Sequence, residues 1–256
     1  MKDIIRSMLV MIELELRRLK HDRTEMYYRA VQPVLWILVF GPVMASIRGA
    51  VLMGGSLVPY TAFITPGIMI QSAVFVAIFY GLTLVWERDS GILKKLLVTP
   101  ASRYGTVIGR SMASGVRAII QGLIVIPFAL IIGVVIFPNP FYFLLAFVII
   151  FFSSGGFAAI SIIMASFMKT RERFMGLGQA ITMPLFFLSS ALYPLSNMGA
   201  LQYIAAYNPM TYIVEAVRSL LITGDLSTLP LDLLVILVFV VVMYILAAIS
   251  FKRIIE

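Results

Sequence analysis

The longest stretch without a charge runs from Ala118 to Met168 and reads AIIQGLIVIPFALIIGVVIFPNPFYFLLAFVIIFFSSGGFAAISIIMASFM, 51 residues. A membrane-crossing helix needs about 20 mostly apolar residues. This run is too long for one crossing and long enough for two. It breaks at Phe137-Pro138-Asn139-Pro140, a turn sequence. The reading is a helical hairpin, one arm ending near Phe137 and the other running from Phe141 to Met168. The rest of the 256-residue chain agrees: 61% is hydrophobic and 12% charged, where soluble domains average about 45–50% and about 25%. The composition predicts an all-α membrane protein.

Four more spans follow from the same test. Arg29 and Arg48 bracket the charge-free Ala30–Ile47. Tyr60 to Trp86 is long enough to cross with tilt. Phe174 to about Leu195 is a fifth span. Leu229 to Phe251 is a sixth, with Asp232 near its start. The basic residues then set the sides. Residues 1–29 hold seven Lys and Arg, 87–117 hold six, 169–173 hold three and the tail holds two, which places 18 on one side and only Arg48 and Arg218 on the other. Lysine and arginine favour the cytoplasm, so both termini are expected inside, in a cell (inner or plasma) membrane. The net charge of +8 therefore belongs to one membrane face and not to a nucleic-acid surface.

Leu201–Ile222 is apolar but is interrupted by Asn208-Pro209 and carries Glu215 and Arg218. Proline disfavours a helical residue before it. The piece after the break is about 14 residues, typical of a re-entrant segment. Two short re-entrant external helices are expected between spans five and six, with Glu215 and Arg218 three apart and able to pair. At the other end of the chain, Ile4, Ile5, Met8, Ile12, Leu16 and Leu19 recur at helical spacing, and Arg17, Arg18, Lys20 and Arg23 cluster after them. This is an interfacial amphipathic helix, either an anchor for the first span or a docking element. The expected organisation is one transmembrane domain over 1–256: an interfacial helix to residue 27, a six-span bundle over 28–251, and a cytoplasmic tail over 252–256.

Several chemistries are poorly supplied. There is no cysteine and only one histidine, His21, so thiolate and histidine chemistry have no base. No G-x-x-x-x-G-K-[ST] phosphate loop occurs, so the chain lacks that means of holding ATP. An intramembrane enzyme would need an acid dyad or a nucleophile with a base, and Ser153, Ser154, Ser189 and Ser190 have none nearby. An ion-coupled secondary transporter, the rival of a different class, would show buried acids and inverted repeats, and the apolar core offers neither.

The most informative hydrophilic stretch is Trp86-Glu87-Arg88-Asp89-Ser90-Gly91-Ile92-Leu93-Lys94-Lys95-Leu96-Leu97-Val98-Thr99-Pro100-Ala101-Ser102-Arg103. Asp89 or Ser90 can cap a helix, Ile92, Leu93, Leu96 and Leu97 share a face, and Pro100 stops it. This predicts a short amphipathic helix over 89–98, serving as a lever or as a solvated connector between spans two and three. Arg110 and Arg117, seven apart, either snorkel to phosphates or attract an anionic headgroup. Gly105 and Gly109 allow close helix contact.

This loop resembles the signature of type-2 ABC exporter permeases, through Glu87 and the spacing of Gly91, Leu93, Leu96 or Leu97, Thr99, Pro100, Ser102 and Arg103. Tyr60, Pro66, Gly67 and Ile68 resemble the family's approach to its second span. Pro184 to Pro194 is similar to its fifth span, and Asn208, Pro209, Thr211, Tyr212 and Arg218 to its external helices. The nearest branch is that of daunorubicin-resistance and nodulation-factor exporter permeases. The resemblance implies that 89–98 is a cytoplasmic coupling helix, with Glu87, Lys94, Lys95 and Arg103 as polar and Leu93, Leu96 and Leu97 as apolar contacts to an ATPase. It also implies two copies of a separate ABC ATPase that hold the ATP and Mg, no cofactor in this chain, and a second permease copy in a homodimer or with a related permease. An amphipathic drug or lipid is the implied cargo, with a lipid-linked glycan as the alternative.

Overall fold

The computed structural model describes residues 2–21, 23–53, 56–91, 103–168 and 170–251. Five helices in it are long and apolar enough to cross a membrane: Tyr27–Arg48, Tyr60–Asp89, Gly105–Ile131, Pro140–Phe167 and Leu229–Ser250. In chain order the elements are α1 (Lys2–His21), α2 (Arg23–Leu35), α3 (Gly41–Arg48), β1 (Ala50–Met53), β2 (Ser56–Pro59), α4 (Tyr60–Tyr80), α5 (Leu82–Asp89), α6 (Arg103–Ile131), α7 (Pro140–Phe167), α8 (Arg171–Phe187), α9 (Gln202–Tyr207), α10 (Pro209–Arg218) and α11 (Leu229–Ser250).

The core is built on α4. Its sequence is apolar all round, the pattern of a helix surrounded by others, and 78% of the second span is buried against 17% of the last. Helices α6 and α7 pack on α4 and on each other. Their connection is the turn at Pro138–Pro140. Gly133 (φ 85°) ends α6 in a left-handed conformation, Pro140 opens α7, and the Asn139 side chain accepts from the Phe141 N–H at 3.0 Å. Helix α11 buries a single stripe, Leu229, Asp232, Ile236, Val240 and Ala247, against α7 and α10. Leu231, Leu234, Leu237, Val241, Ile245 and Ile249 stay exposed, the natural dress of a helix whose other face meets acyl chains. Helix α1 runs along α6 and keeps Leu9, Val10, Leu14 and Leu16 exposed.

Several features differ from the sequence expectation. The charge-free segment before Tyr60 contains a short antiparallel hairpin, with Val51 opposite Val58 and Leu52 opposite Leu57, a local detail in a chain that is mostly helical, as an all-α membrane protein should be. The first span carries a single π turn at Trp36–Phe40, just after Pro33. Proline has no N–H to give to the carbonyl four residues back, and that carbonyl, on Arg29, takes the Gln121 side-chain N–H instead, at 2.9 Å. The helix in the place of the fifth span has 17 residues and ends at Phe187, so it falls short of the spanning length expected for Phe174–Leu195. The lever expected over 89–98 does not begin at Asp89. Asp89 is the last residue of α5, and Ser90 and Gly91 (φ 71°) close that helix. Residues 92–98 lie outside the described residues.

Candidate functional site

Two polar knots stand at opposite ends of the bundle. The first gathers around Arg218, the last residue of α10. Asn208 starts that helix for a local reason: its side-chain oxygen accepts from the Met210 N–H at 2.9 Å and Pro209 sits at the first helical position, the usual division of labour at a helix start. The same side chain's NH₂ group donates to the carbonyls of Leu185 and Leu188, at 2.7 and 2.6 Å. These lie at the end of α8, where carbonyls lose their helical partners. One asparagine thus ends α8 and begins α10, and this is why α8 stops where hydropathy alone would continue it.

Arg218 is fully buried. Its Nε donates to the Phe63 carbonyl at 3.0 Å, one terminal nitrogen to the Ser190 carbonyl at 2.7 Å, and the other to Glu215 at 2.9 Å. The guanidinium lies 3.9 Å from the centre of the Phe63 ring. Burial pushes its pKa below the ordinary arginine value, and Glu215 pulls it back up. Tyr60 adds a bond to the Leu192 carbonyl at 3.1 Å. Gly67 lets the turn approach: a Cβ there would sit 2.4 Å from the Ala191 carbonyl oxygen. Tyr212 lies at the edge, its hydroxyl donating to the Ala206 carbonyl at 2.8 Å. Segments 60–67, 185–192 and 208–218, distant in sequence, meet here. Asp232 is buried in the first turn of α11, where the positive helix end suits a carboxylate.

The second knot closes the other end, where α5 leads into residues 92–102. Glu87 is inside, paired with Arg110 of α6, both side chains at most 10% exposed. Glu87, expected as a polar contact of the coupling segment, and Arg110, expected to snorkel or to attract a headgroup, are thus buried partners of one another in this chain. Arg117 lies 5.6 Å from the ring centre of Tyr80. Arg103 opens α6, while Leu93, Lys94, Lys95, Leu96, Leu97, Thr99 and Pro100 lie outside the described residues. Gly91 has open space around its Cα, so its left-handed backbone, not crowding, is what calls for glycine there.

The sequence reading assigned no partner to Arg88 or Arg171 and took Asp89 only as a helix cap. Arg88 donates to the carbonyls of Met168 and Ala165, at 2.8 and 3.4 Å. Asp89 pairs with Arg171 at 3.6 Å, and the Arg171 guanidinium lies 4.2 Å from the Trp86 ring centre. The one available signal was Arg88 itself, a basic residue in the last turn of a helix, where carbonyl ends attract cations. Among the described residues no group of three acidic, histidine or cysteine side chains could hold a metal.

Long apolar helices around a buried α4, with ion pairs gathered at the two ends, define a multi-pass membrane protein. The family follows from comparison: residues 6–222 match the ABC-2 type transporter family, and the chain belongs to it. A transport permease named ycf38 in Cyanophora paradoxa is 28% identical over 220 residues, 84% of this chain and 74% of that protein. Nodulation protein J of Rhizobium leguminosarum bv. viciae is 22% identical over 224 residues, 86% and 84% of the two chains. DrrC of Mycobacterium tuberculosis, named for doxorubicin resistance as an ABC transporter permease, is 23% identical over 211 residues, 80% and 73%.

Proposed function

We propose that this chain is the membrane permease of an ATP-driven exporter that carries an amphipathic drug or lipid-like substrate out of the cytoplasm or the inner leaflet. The observation that carries this reading is the family match across residues 6–222, together with the resistance named in the relative DrrC. The chain has no phosphate loop, so ATP and Mg belong to a separate ABC ATPase, two copies of which serve two permeases, in the simplest case identical ones. The 18-to-two division of Lys and Arg puts the Asp89 end in the cytoplasm and the Arg218 end outside. In this orientation α8 and the turn after it make the fifth of six crossings, and α9 and α10 dip in from the outer face. Residues 89–103 meet the ATPase, with Gly91, Leu93, Lys94, Leu96, Leu97, Thr99, Pro100 and Arg103 as the contact segment. Nucleotide drives transport by binding better to one of two states of the complex.

The test is purification of the tagged chain from its native membrane. An ABC ATPase should accompany it, and inverted vesicles holding the pair should accumulate doxorubicin only when Mg-ATP is supplied. Nucleotide-independent accumulation driven by an ion gradient overturns the reading.

A further inference from the structure

The end of α5 holds three consecutive charges, Glu87, Arg88 and Asp89; Arg88 and Asp89 approach each other at 3.9 Å, and each of the three also reaches a different neighbour. Successive residues on a helix point about 100° apart, so three in a row can reach three neighbours. Glu87 reaches Arg110 on α6. Asp89 reaches Arg171, the first residue of α8. Arg88 reaches forward across 80 and 77 residues to Met168 and Ala165, at the end of α7. Those carbonyls belong to the last turn of a helix, where no N–H follows to satisfy them, and a guanidinium has the fork to bond two at once.

We propose that Arg88 is a positioning residue that makes the α7–α8 junction move with α5, so that a displacement delivered at the end of α5 reaches α7 and α8 directly. This rests on the exporter reading above. The reasoning is mechanical. Glu87 ties α5 to α6, the helix that resumes the chain after the loop, and that tie closes the loop on itself. Among the described residues, Arg88, and behind it the Asp89–Arg171 pair with Trp86 under the guanidinium, are the polar ties at this end of α5 that carry the connection outward to a part of the chain that the loop does not adjoin in sequence. Arg88 is half-buried and its bonds to Met168 and Ala165 are to backbone. A charge-for-charge partner swap elsewhere therefore cannot replace it.

Hydrogen–deuterium exchange on the permease–ATPase complex, with and without Mg-ATP and vanadate, tests this. In the wild type, nucleotide should change exchange both in residues 82–91 and in residues 170–176. In Arg88→Met the change at 82–91 should persist and the change at 170–176 should be lost. Arg88→Lys, which keeps the charge and a donor, should retain both. A purely structural role would raise exchange at the α7 end in both nucleotide conditions without removing their difference. If Arg88→Met does not assemble, the double variant Asp89→Asn, Arg171→Gln cuts the second tie and should reduce the change at 170–176. A wild-type response at 170–176 in whichever of these variants assembles overturns the proposal while leaving the exporter reading standing. Absence of any nucleotide-dependent change in the wild type brings down both.

Discussion

The two knots use the same residue types to opposite ends. At the Arg218 end, the arginine, Asn208, Tyr60 and Tyr212 all donate to backbone carbonyls. A carbonyl cannot leave without its chain, so such bonds fix the fold of the segments that carry them. At the Asp89 end, two of the three main ties join side chain to side chain, and the outermost, Asp89–Arg171, is 39% and 43% exposed. Ties of that kind can exchange partners as helices shift. On the exporter reading proposed above, the Arg218 end holds the fold, and the outer Asp89–Arg171 tie of the opposite end is the one free to change its contacts. That division suits a machine driven from one face.

The largest expected effect is at Arg218. Arg218→Met removes the partner of Glu215 and the guanidinium bonds to the Phe63 and Ser190 carbonyls. Breaking a fully buried charged pair from one side costs about 3–5 kcal/mol; Glu215 keeps 27% of its side chain exposed, so the loss should fall toward the lower end. The variant should unfold far earlier than the wild type in a thermal melt followed by size-exclusion chromatography. Arg218→Lys should recover only part of the loss, because an ammonium lacks the planar fork. A mild effect in both would mean that the knot is no firmer than the opposite end.

Next in size is Gly67, read against Gly176. A methyl at 67 meets the Ala191 backbone at 2.4 to 2.9 Å, whereas one at 176 meets nothing within 4 Å. Gly67→Ala should cost about 1–3 kcal/mol, as overpacking does. Gly176→Ala, in the middle of α8, should instead gain about 0.5–1 kcal/mol from helix propensity. Denaturation midpoints of the two variants give the sign directly.

These contrasts also mark what the sequence could tell. The spans were legible because lipid allows no unpaired charge, and charge-free runs bounded by arginines say so plainly. The break at Asn208-Pro209 and the Glu215–Arg218 pair were legible because both are local. The end of α8 was not: the Leu185 and Leu188 carbonyls there take bonds from Asn208, 23 and 20 residues on, and hydropathy carries no trace of that. Likewise the sequence supplied Glu87 as a charge next to a loop. Whether it faced out or in depended on Arg110, one of several arginines at comparable depth. Arg88 went unread because its partners are carbonyls, which every residue has.

A smaller effect is expected at the Glu87–Arg110 tie when it is measured as a coupling. Glu87→Gln and Arg110→Gln each remove one charge of this buried pair, whereas the double variant removes both. The double-mutant cycle should therefore return an interaction of about 1–3 kcal/mol, insensitive to salt because the pair is buried. A coupling near zero would place the two side chains on separate tasks and leave Arg88 as the main tie of α5.

The smallest effect sharpens the comparison most. Asp89 and Arg171 are partly hydrated and stand 3.6 Å apart, so the pair gains little over its hydrated alternatives, and Asp89→Asn should shift stability by less than about 1 kcal/mol. Whatever shift there is should shrink as ionic strength rises, since a Debye length of about 3 Å at 1 M salt screens exposed charges at this separation. Arg171 would still rest on Trp86, which keeps the guanidinium in place after its acid is gone. The measurement is the melting temperature of Asp89→Asn and wild type in low and high salt. A loss of several kcal/mol that salt leaves untouched would show this tie to be as fixed as those around Arg218, and the proposed division between a holding end and a moving end would fail at its weakest bond.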